Sequence, residues 1–329
     1  MEKVLVTGAS GFIGNFICSA LQQDGFEVYA AVRPSSQFSL LSDNGVKCIS
    51  HSFNDVDAMA EIIKTHGITH FVHNAGVTRT PETKHYFDVN AGLVAYMRDA
   101  VMSTEIVPKK FVLMSSLAAY GPSDFQVSKI VDHKSEPNPV TTYGKSKLKG
   151  ESVLEHSSLP YIILRPTAVF GPREKDILQV FKLIRAGFAI LPDIKDQKLT
   201  FIYVKDLAGL VSMALRSSVE RKAYFVGDGN TYSQEEFHAY IGEKLNPGFR
   251  MLKLPLWVIK AYAYAGLITG KFNGNYPVLY PERVNELKAQ SWECDTTPLR
   301  NDFLFSPSKS LREAVHETAE WYLENNWIK

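Results

Sequence analysis

The 329-residue chain has little cysteine, almost no net charge and no long apolar run. Its three cysteines, Cys18, Cys48 and Cys294, are odd in number and far apart. That spacing fits neither a disulfide framework nor the close ligand pairs of a zinc site, and it points to a reducing, cytoplasmic home. A formal charge of +1, with no run of Lys and Arg, gives no broad attraction to nucleic acid or to an anionic surface. Glycines break the amino-terminal apolar stretch too early for a secretory signal. No stretch reaches the roughly 20 apolar residues of a membrane span. The histidines show no His-Glu-x-x-His arrangement, and His66, His70 and His73 straddle a helix end and a strand, so no metal is expected.

Against these absences, 45% hydrophobic and 12% aromatic residues are ordinary globular chemistry. Apolar runs of strand length recur: "KVLVTG", "EVYAAVR", "VKCIS", "THFVHNAG", "KKFVLMSS" and "PYIILRP". They are nearly continuous in Val, Ile, Leu and Phe, as strands covered on both faces are. Helix-length segments separate them, which predicts an α/β fold: a Rossmann-type doubly wound parallel sheet with right-handed crossovers. That pattern fills residues 1–170, and "LTFIYVKDLAG" and "AYFVGDG" within 199–228 are expected to return to it. Residues 171–198 and 229–329 then form a smaller, mostly helical carboxy-terminal substrate region. Its segment "LPLWVIKAYAYAGLITG", residues 254–270, admits three readings: a buried helix, a lid over an apolar substrate, or a surface that touches membrane. Lys260 in its middle argues against a span.

The first strand ends in "TGASGFIG". Gly8 allows a sharp turn, Gly11 lets backbone approach a ligand, and Gly14 lets the next helix pack on the sheet. The helix opening near Phe12 and Ile13 points free N–H groups at a phosphate. A dinucleotide site is the expectation, because the glycines follow a strand at the start of a β-α repeat. The second strand carries Arg33 where an acid would select NAD, followed by Ser35 and Ser36. A guanidinium grips a 2′-phosphate that an acid would repel, so NADP is expected, with NAD as the alternative.

"LMSSLAAYG" at a strand end and "TTYGKSKLKGE" at a helix start add chemistry. Tyr143 and Lys147 lie four residues apart and therefore share a helix face. A phenol working near neutral pH needs its pKa lowered by about three units, which a cation about 4 Å away supplies. Tyr143 is thus a candidate proton donor and acceptor.

Taken together, "TGASGFIG", "HNAG", "MSSLAAYG", "YGKSK", "RPTAVFGP" and "FIYVKDLAG" resemble, in order and over most of the chain, the extended short-chain dehydrogenase/reductases, also called the NAD-dependent epimerase/dehydratase group. The resemblance implies that Tyr143 is the general acid/base, that Lys147 lowers its pKa and binds the nicotinamide ribose, and that Ser116 holds the substrate oxygen. It gives Asn90 a fold-holding role and puts Ser115 near the cofactor. It places Ala75 and Gly76 along the cofactor and Pro166 to Val169 beside the nicotinamide. Ser52 stands where relatives carry an adenine-binding Asp, so Phe53 is left to offer a backbone N–H. Thr78 and Arg173 are candidate substrate contacts. Relatives dimerise through two helices, here residues 85–103 and 142–157, which makes a homodimer the expectation.

Departures from the family pattern narrow the reaction. Leu117 and Ala118 replace the Asp-Glu pair of sugar dehydratases, and Leu199 and Thr200 replace the Arg-Asp pair that meets a sugar-nucleotide diphosphate. The resemblance is then to the dihydroflavonol-reductase and 3-beta-hydroxysteroid-dehydrogenase branches. It implies an NADP(H)-dependent ketone reductase or secondary-alcohol dehydrogenase for a small, largely apolar molecule. The alternatives are a nucleotide-sugar epimerase with tightly bound NAD and a cofactor-binding protein without turnover.

Overall fold

The computed structural model describes residues 1–123, 130–273 and 276–329. Six of the apolar runs form strands β1 (Lys3–Thr7), β2 (Glu27–Val32), β3 (Lys47–Ser50), β4 (His70–His73), β5 (Lys110–Met114) and β6 (Tyr161–Pro166). Four short strands follow, β7 (Ala168–Phe170), β8 (Phe188–Pro192), β9 (Phe201–Tyr203) and β10 (Lys222–Val226), and then β11 (Arg250–Leu254). Seven of these build one parallel sheet in the order β10-β6-β5-β4-β1-β2-β3.

Both faces of the sheet are covered, which is why its strands show apolar runs and not alternation. On one face, Val4, Val6, Val112 and Ile162 pack with Ile17 and Leu21 of helix Phe12–Gln23 and Leu207 and Val211 of helix Val204–Arg216. On the other, Leu5, Phe71, Phe111 and Ile163 meet Ile63, Met97 and Leu154 from helices Val56–His66, Leu93–Met102 and Thr142–Glu155. The doubly wound Rossmann-type sheet expected from the sequence is the observed fold.

Strand order reverses at β1, with β2 on one side and β4 on the other. That reversal opens a crevice beyond the carboxyl ends of β1 and β4, where open α/β sheets bind ligands. The β7–β9 and β8–β11 pairs form separate two-stranded sheets. A third core joins them to the carboxy-terminal helices through Phe170, Phe181, Phe201, Phe237 and Tyr322.

Candidate active site

The turn after β1 is shaped by what glycine omits. Gly8 adopts φ +68°, and a Cβ there would lie 2.6 Å from the Ala75 backbone N. A Cβ on Gly14 would sit 2.1 Å from the Gly8 carbonyl oxygen, so both positions require the missing side chain. Gly11 is different: an added Cβ would meet only the Gly8 carbonyl oxygen, at 3.3 Å, so the turn leaves its outer face open. Gly11 is also the N-cap of helix Phe12–Gln23 and supplies no side-chain cap. The first N–H groups of Phe12, Ile13 and Gly14 are left to an outside acceptor, as at anion-binding helix starts. This cradle fits a dinucleotide pyrophosphate.

The neighbouring loop is tied to it. Asn74 donates Nδ2–H to the Gly8 carbonyl at 3.2 Å, and the Ala75 N–H donates to the Thr7 hydroxyl at 3.3 Å. Thr7 Oγ1 is also 3.0 Å from His73 Nδ1. Burial holds the His73 pKa down at about 3, so this histidine is a neutral structural group. Among the described residues, no three His, Cys, Asp or Glu side chains are grouped to hold a metal.

Arg33 follows β2 directly, is exposed, and has no side-chain partner among the described residues. Ser35 is exposed, and the Ser36 N–H closes a turn on the Arg33 carbonyl at 2.9 Å. After β3, Ser52 hydrogen-bonds Asn54. Phe53 adopts φ 57° with its ring against His51 and Tyr96. Pro166 ends β6, and Val169 lies in β7.

The catalytic candidates converge for local reasons. Ser116 follows β5 and caps the turn Leu117–Ala119, its hydroxyl accepting from the Ala118 N–H at 3.1 Å. Thr141 caps helix Thr142–Glu155 in the same way, accepting from Gly144 N–H at 3.2 Å. The helix lies so near the turn that a Cβ on Gly144 would be 2.2 Å from the Ala118 carbonyl oxygen. This approach brings Ser116 close enough to the Tyr143 phenol to favour its ionised form.

One turn along the helix, Lys147 Nζ donates to the Met114 carbonyl at 2.8 Å in a buried setting. Burial drives its pKa down to about 8, against the pull of Glu151. Tyr143 moves the other way: burial pushes it up to about 12, although Ser116 and Arg283 favour the phenolate. The sequence argument expected Lys147 to lower the Tyr143 pKa. Burial is the largest influence on Tyr143 in this geometry, and the Lys147 ammonium donates to the Met114 carbonyl.

Asn90 joins the pieces. It lies in a π-helical turn, Asp88–Gly92. Its Oδ1 accepts from Val77 N–H at 2.9 Å, and its Nδ2 donates to the Val77 carbonyl and Ser146 Oγ, each at 2.9 Å. An added Cβ on Gly76 would lie 3.1 Å from Lys147 Nζ, so the β4 loop and the catalytic helix meet there. Behind Lys147, Ser115 donates to Glu151, which takes a two-pronged grip from Arg165 at 2.7 and 3.0 Å. The Arg165 guanidinium stacks 4.2 Å from the Tyr120 ring centre.

Glu282, Arg283 and Glu286 escaped sequence reasoning because they lie more than a hundred positions from Tyr143. Glu286 accepts from Thr141 Oγ1 at 3.1 Å, and burial pushes its pKa up. Glu282 accepts from the Thr142 N–H and hydroxyl at 2.6 and 2.7 Å. Arg283 and Arg79 share Asp176 at 3.2 and 3.4 Å. Thr78 is exposed on the loop after β4, with its carbonyl accepting from Tyr86 at 3.4 Å. Arg173, at φ 74°, donates to Asn15 Oδ1 at 2.8 Å. It borders a cavity of about 360 Å³ lined also by Lys205, Glu317 and Trp321; none of Ser116, Tyr143 and Lys147 lines that cavity.

A glycine cradle at a sheet's switch point, facing a Ser-Tyr-Lys group, defines a nicotinamide-dependent enzyme of the Rossmann class. The chain belongs to the NAD dependent epimerase/dehydratase family, which its residues 4–227 match, and is an NAD(P)-dependent oxidoreductase or epimerase of the extended short-chain type. It is 25% identical over 333 residues to a ceramide reductase of Caulobacter vibrioides, covering 99% of this chain and 96% of that one. It is 24% identical over 343 residues to a UDP-glucose 4-epimerase of Vibrio cholerae, covering 99% and 97%. The fold matches the crystal structure of the Thermotoga maritima UDP-glucose 4-epimerase with UDP-glucose at TM-score 0.78 and 19% identity, covering 99% and 100% of the two chains. The Bordetella bronchiseptica enzyme WbmG in complex with NAD aligns at TM-score 0.78 and 18% identity, covering 99% and 95%.

Proposed function

We propose that the chain is an NADP(H)-dependent ketone reductase or secondary-alcohol dehydrogenase acting on a small, largely apolar molecule. The observation that carries this reading is the close approach of helix Thr142–Glu155 to the Leu117–Ala119 turn, which brings Ser116 to a protonated Tyr143 with Lys147 one turn away. When bound, the reduced nicotinamide supplies the hydride to the carbonyl carbon. Tyr143 donates its proton to the carbonyl oxygen, which Ser116 holds by hydrogen bonding, and the alcohol leaves. Backbone at Gly8, Gly11, Phe12, Ile13 and Gly14 would cradle the pyrophosphate. Ser52 and Phe53 would flank the adenine, Ala75, Gly76, Pro166 and Val169 would line the nicotinamide half, and Lys147 would reach its ribose.

For the cofactor, an exposed and unpartnered Arg33 supports NADP over NAD. For the substrate, Thr200 supports an apolar molecule. It lies where sugar-nucleotide enzymes resembling this chain place a diphosphate-binding pair, and its hydroxyl is turned inward to the Trp292 carbonyl at 2.8 Å. The relative named ceramide reductase agrees with an apolar substrate. Residues 171–198 and 229–329 would bind it, with Thr78 at the mouth; Arg173 would have to leave Asn15 to join. The helices within 85–103 and 142–157 are the proposed homodimer faces.

The second reading, a nucleotide-sugar epimerase retaining NAD, is favoured by the similarly related UDP-glucose 4-epimerase. One experiment separates the two. The purified protein is denatured, any released nicotinamide is identified, and the emptied protein is titrated with NADPH and NADH by fluorescence. The reductase binds NADPH more tightly and loses that preference in Arg33→Ala. Tightly retained NAD would replace it with the epimerase. In Tyr143→Phe, turnover drops about 10²–10⁴-fold with cofactor affinity kept; full activity would remove the proton-transfer mechanism.

A further inference from the structure

Within helix Leu256–Asn273, residues 256–270 are apolar, aromatic or glycine apart from Lys260 and Thr269, a pattern expected of a helix covered on most sides. Only one side is covered. Ile259 and Ala263 are buried against Val284, with Leu254, Leu279 and Leu287 around them. The opposite face is bare: Trp257 is 72% exposed, Tyr264 51% and Ile268 60%, with Ala261 and Ala265 exposed between them. Tyr262 beside this stripe is 70% exposed. The β8–β11 pair leads into the helix across Pro255 and also bares apolar side chains: Phe188, Ile190 and, opposite Ile190 in register, Leu252. Leu254 joins the two elements by packing on the helix's buried side.

Along the chain, the charge of this segment has one sign. Between Glu243 and Glu282 the chain has no acidic residue, while Lys244, Arg250, Lys253, Lys260 and Lys271 are basic. Lys253 is paired with Glu235 at 2.6 Å and Lys244 with Glu320. Arg250 and Lys260 have no ion-pair partner among the described residues. Tryptophan and tyrosine rings beside lysines are the side chains that settle at the boundary between lipid headgroups and acyl chains.

We propose that this face docks on an anionic lipid bilayer, with Trp257, Tyr264 and Ile268 entering the headgroup boundary and Lys260 and Arg250 meeting lipid phosphates. No helix among the described residues is long and apolar enough to cross a membrane, so the helix lies along the surface. A second copy of this chain is disfavoured as the occupant, because two such faces would bring like charges together. A lid over the substrate is disfavoured as well. The covered side of the helix is the one that faces Val284, next to the Arg283 and Glu286 that act on Tyr143. The bare side points away from it. The docked helix therefore rests on the outer wall of the catalytic cleft.

The test is flotation of the full chain with phosphatidylcholine vesicles and with vesicles containing phosphatidylglycerol, following tryptophan emission. The chain is expected to float with the anionic vesicles, to shift its emission to shorter wavelength, and to bind at least tenfold more weakly in high salt. Trp257→Ser combined with Ile268→Asp is expected to raise the vesicle Kd at least tenfold and abolish the shift. Lys260→Glu is expected to weaken binding severalfold. These side chains are exposed, so cofactor affinity should be unchanged and confirms folding. Failure to float with either vesicle, equal binding by the double variant, or self-association in sedimentation that Ile268→Asp abolishes would each overturn the proposal. Vesicle binding needs no substrate, so its outcome is separate from the chemistry proposed at Tyr143.

Discussion

Lys147 donates its ammonium to the carbonyl of Met114 at 2.8 Å from a position one helical turn beyond Tyr143. The contact ties the catalytic helix to the end of β5, and burial around it pushes the Lys147 pKa down to about 8. The ammonium is therefore present below about pH 8 and lost as pH rises, whereas Tyr143, pushed up to about 12, keeps its proton over the same range.

For carbonyl reduction, kcat is expected to fall as pH rises through about 8, through loss of the Lys147 charge and not of the Tyr143 proton. Lys147→Arg keeps its charge and should carry the fall to higher pH. A steady-state kcat profile from about pH 6 to about pH 10 checks this, and a profile that rises across that range would remove Lys147 from the role. The stability sign is opposite. Between about 8 and the ordinary lysine value of 10.5, the unfolded chain holds a proton on this group that the folded chain has lost. Its contribution to stability therefore rises with pH in that window.

Much of this arrangement was legible in the sequence because it is local. The glycine turn, the apolar strand runs and the Tyr143–Lys147 spacing all act within a few residues, and the helix and strand periods decide them. The resemblance's fold-holding role for Asn90 agrees with its hydrogen bonds to Val77 and Ser146. Glu282, Arg283 and Glu286 were not legible, because only folding brings them to Thr141, Thr142 and Tyr143. Glu151 did leave a signal: it continues the four-residue stripe Tyr143, Lys147, Glu151. The near-zero net charge concealed the basic stretch after Glu243, which became visible only with its exposed neighbours. For 254–270 the sequence left burial, lid and membrane contact open; the structure shows one side of the helix buried and the other bare.

Glu151 is where stability should be most sensitive. It is buried between Ser115 and Arg165, and Arg165 is itself buried under Tyr120 and Phe225. Glu151→Ala would leave a desolvated guanidinium unpaired, a loss of about 3–5 kcal/mol. Urea unfolding should show the midpoint falling with little change in slope. A loss under about 1 kcal/mol would mean that Arg165 finds another partner, Glu155 at 4.0 Å being the nearest carboxylate.

Gly144 is where activity and stability should separate. An added Cβ would lie 2.2 Å from the Ala118 carbonyl oxygen, and that oxygen belongs to backbone that cannot swing aside. Gly144→Ala must push helix Thr142–Glu155 away from the Leu117–Ala119 turn, and with it Tyr143 from Ser116. A shift of about 1 Å at reacting groups costs about 10²-fold in rate, so kcat should drop by that order with a stability loss of about 1–3 kcal/mol. Cofactor affinity should fall much less than kcat, because the Gly8 turn rests on β1 and the Ala75 loop and only Lys147 of this helix reaches the cofactor. Gly209→Ala is the control: it is also a helical glycine, but nothing lies within 4 Å of its added Cβ. That change should leave kcat unaltered and raise stability by about 0.5–1 kcal/mol. If both substitutions lowered kcat alike, the effect would come from helix stiffness and the Gly144–Ala118 approach would not be what seats Tyr143.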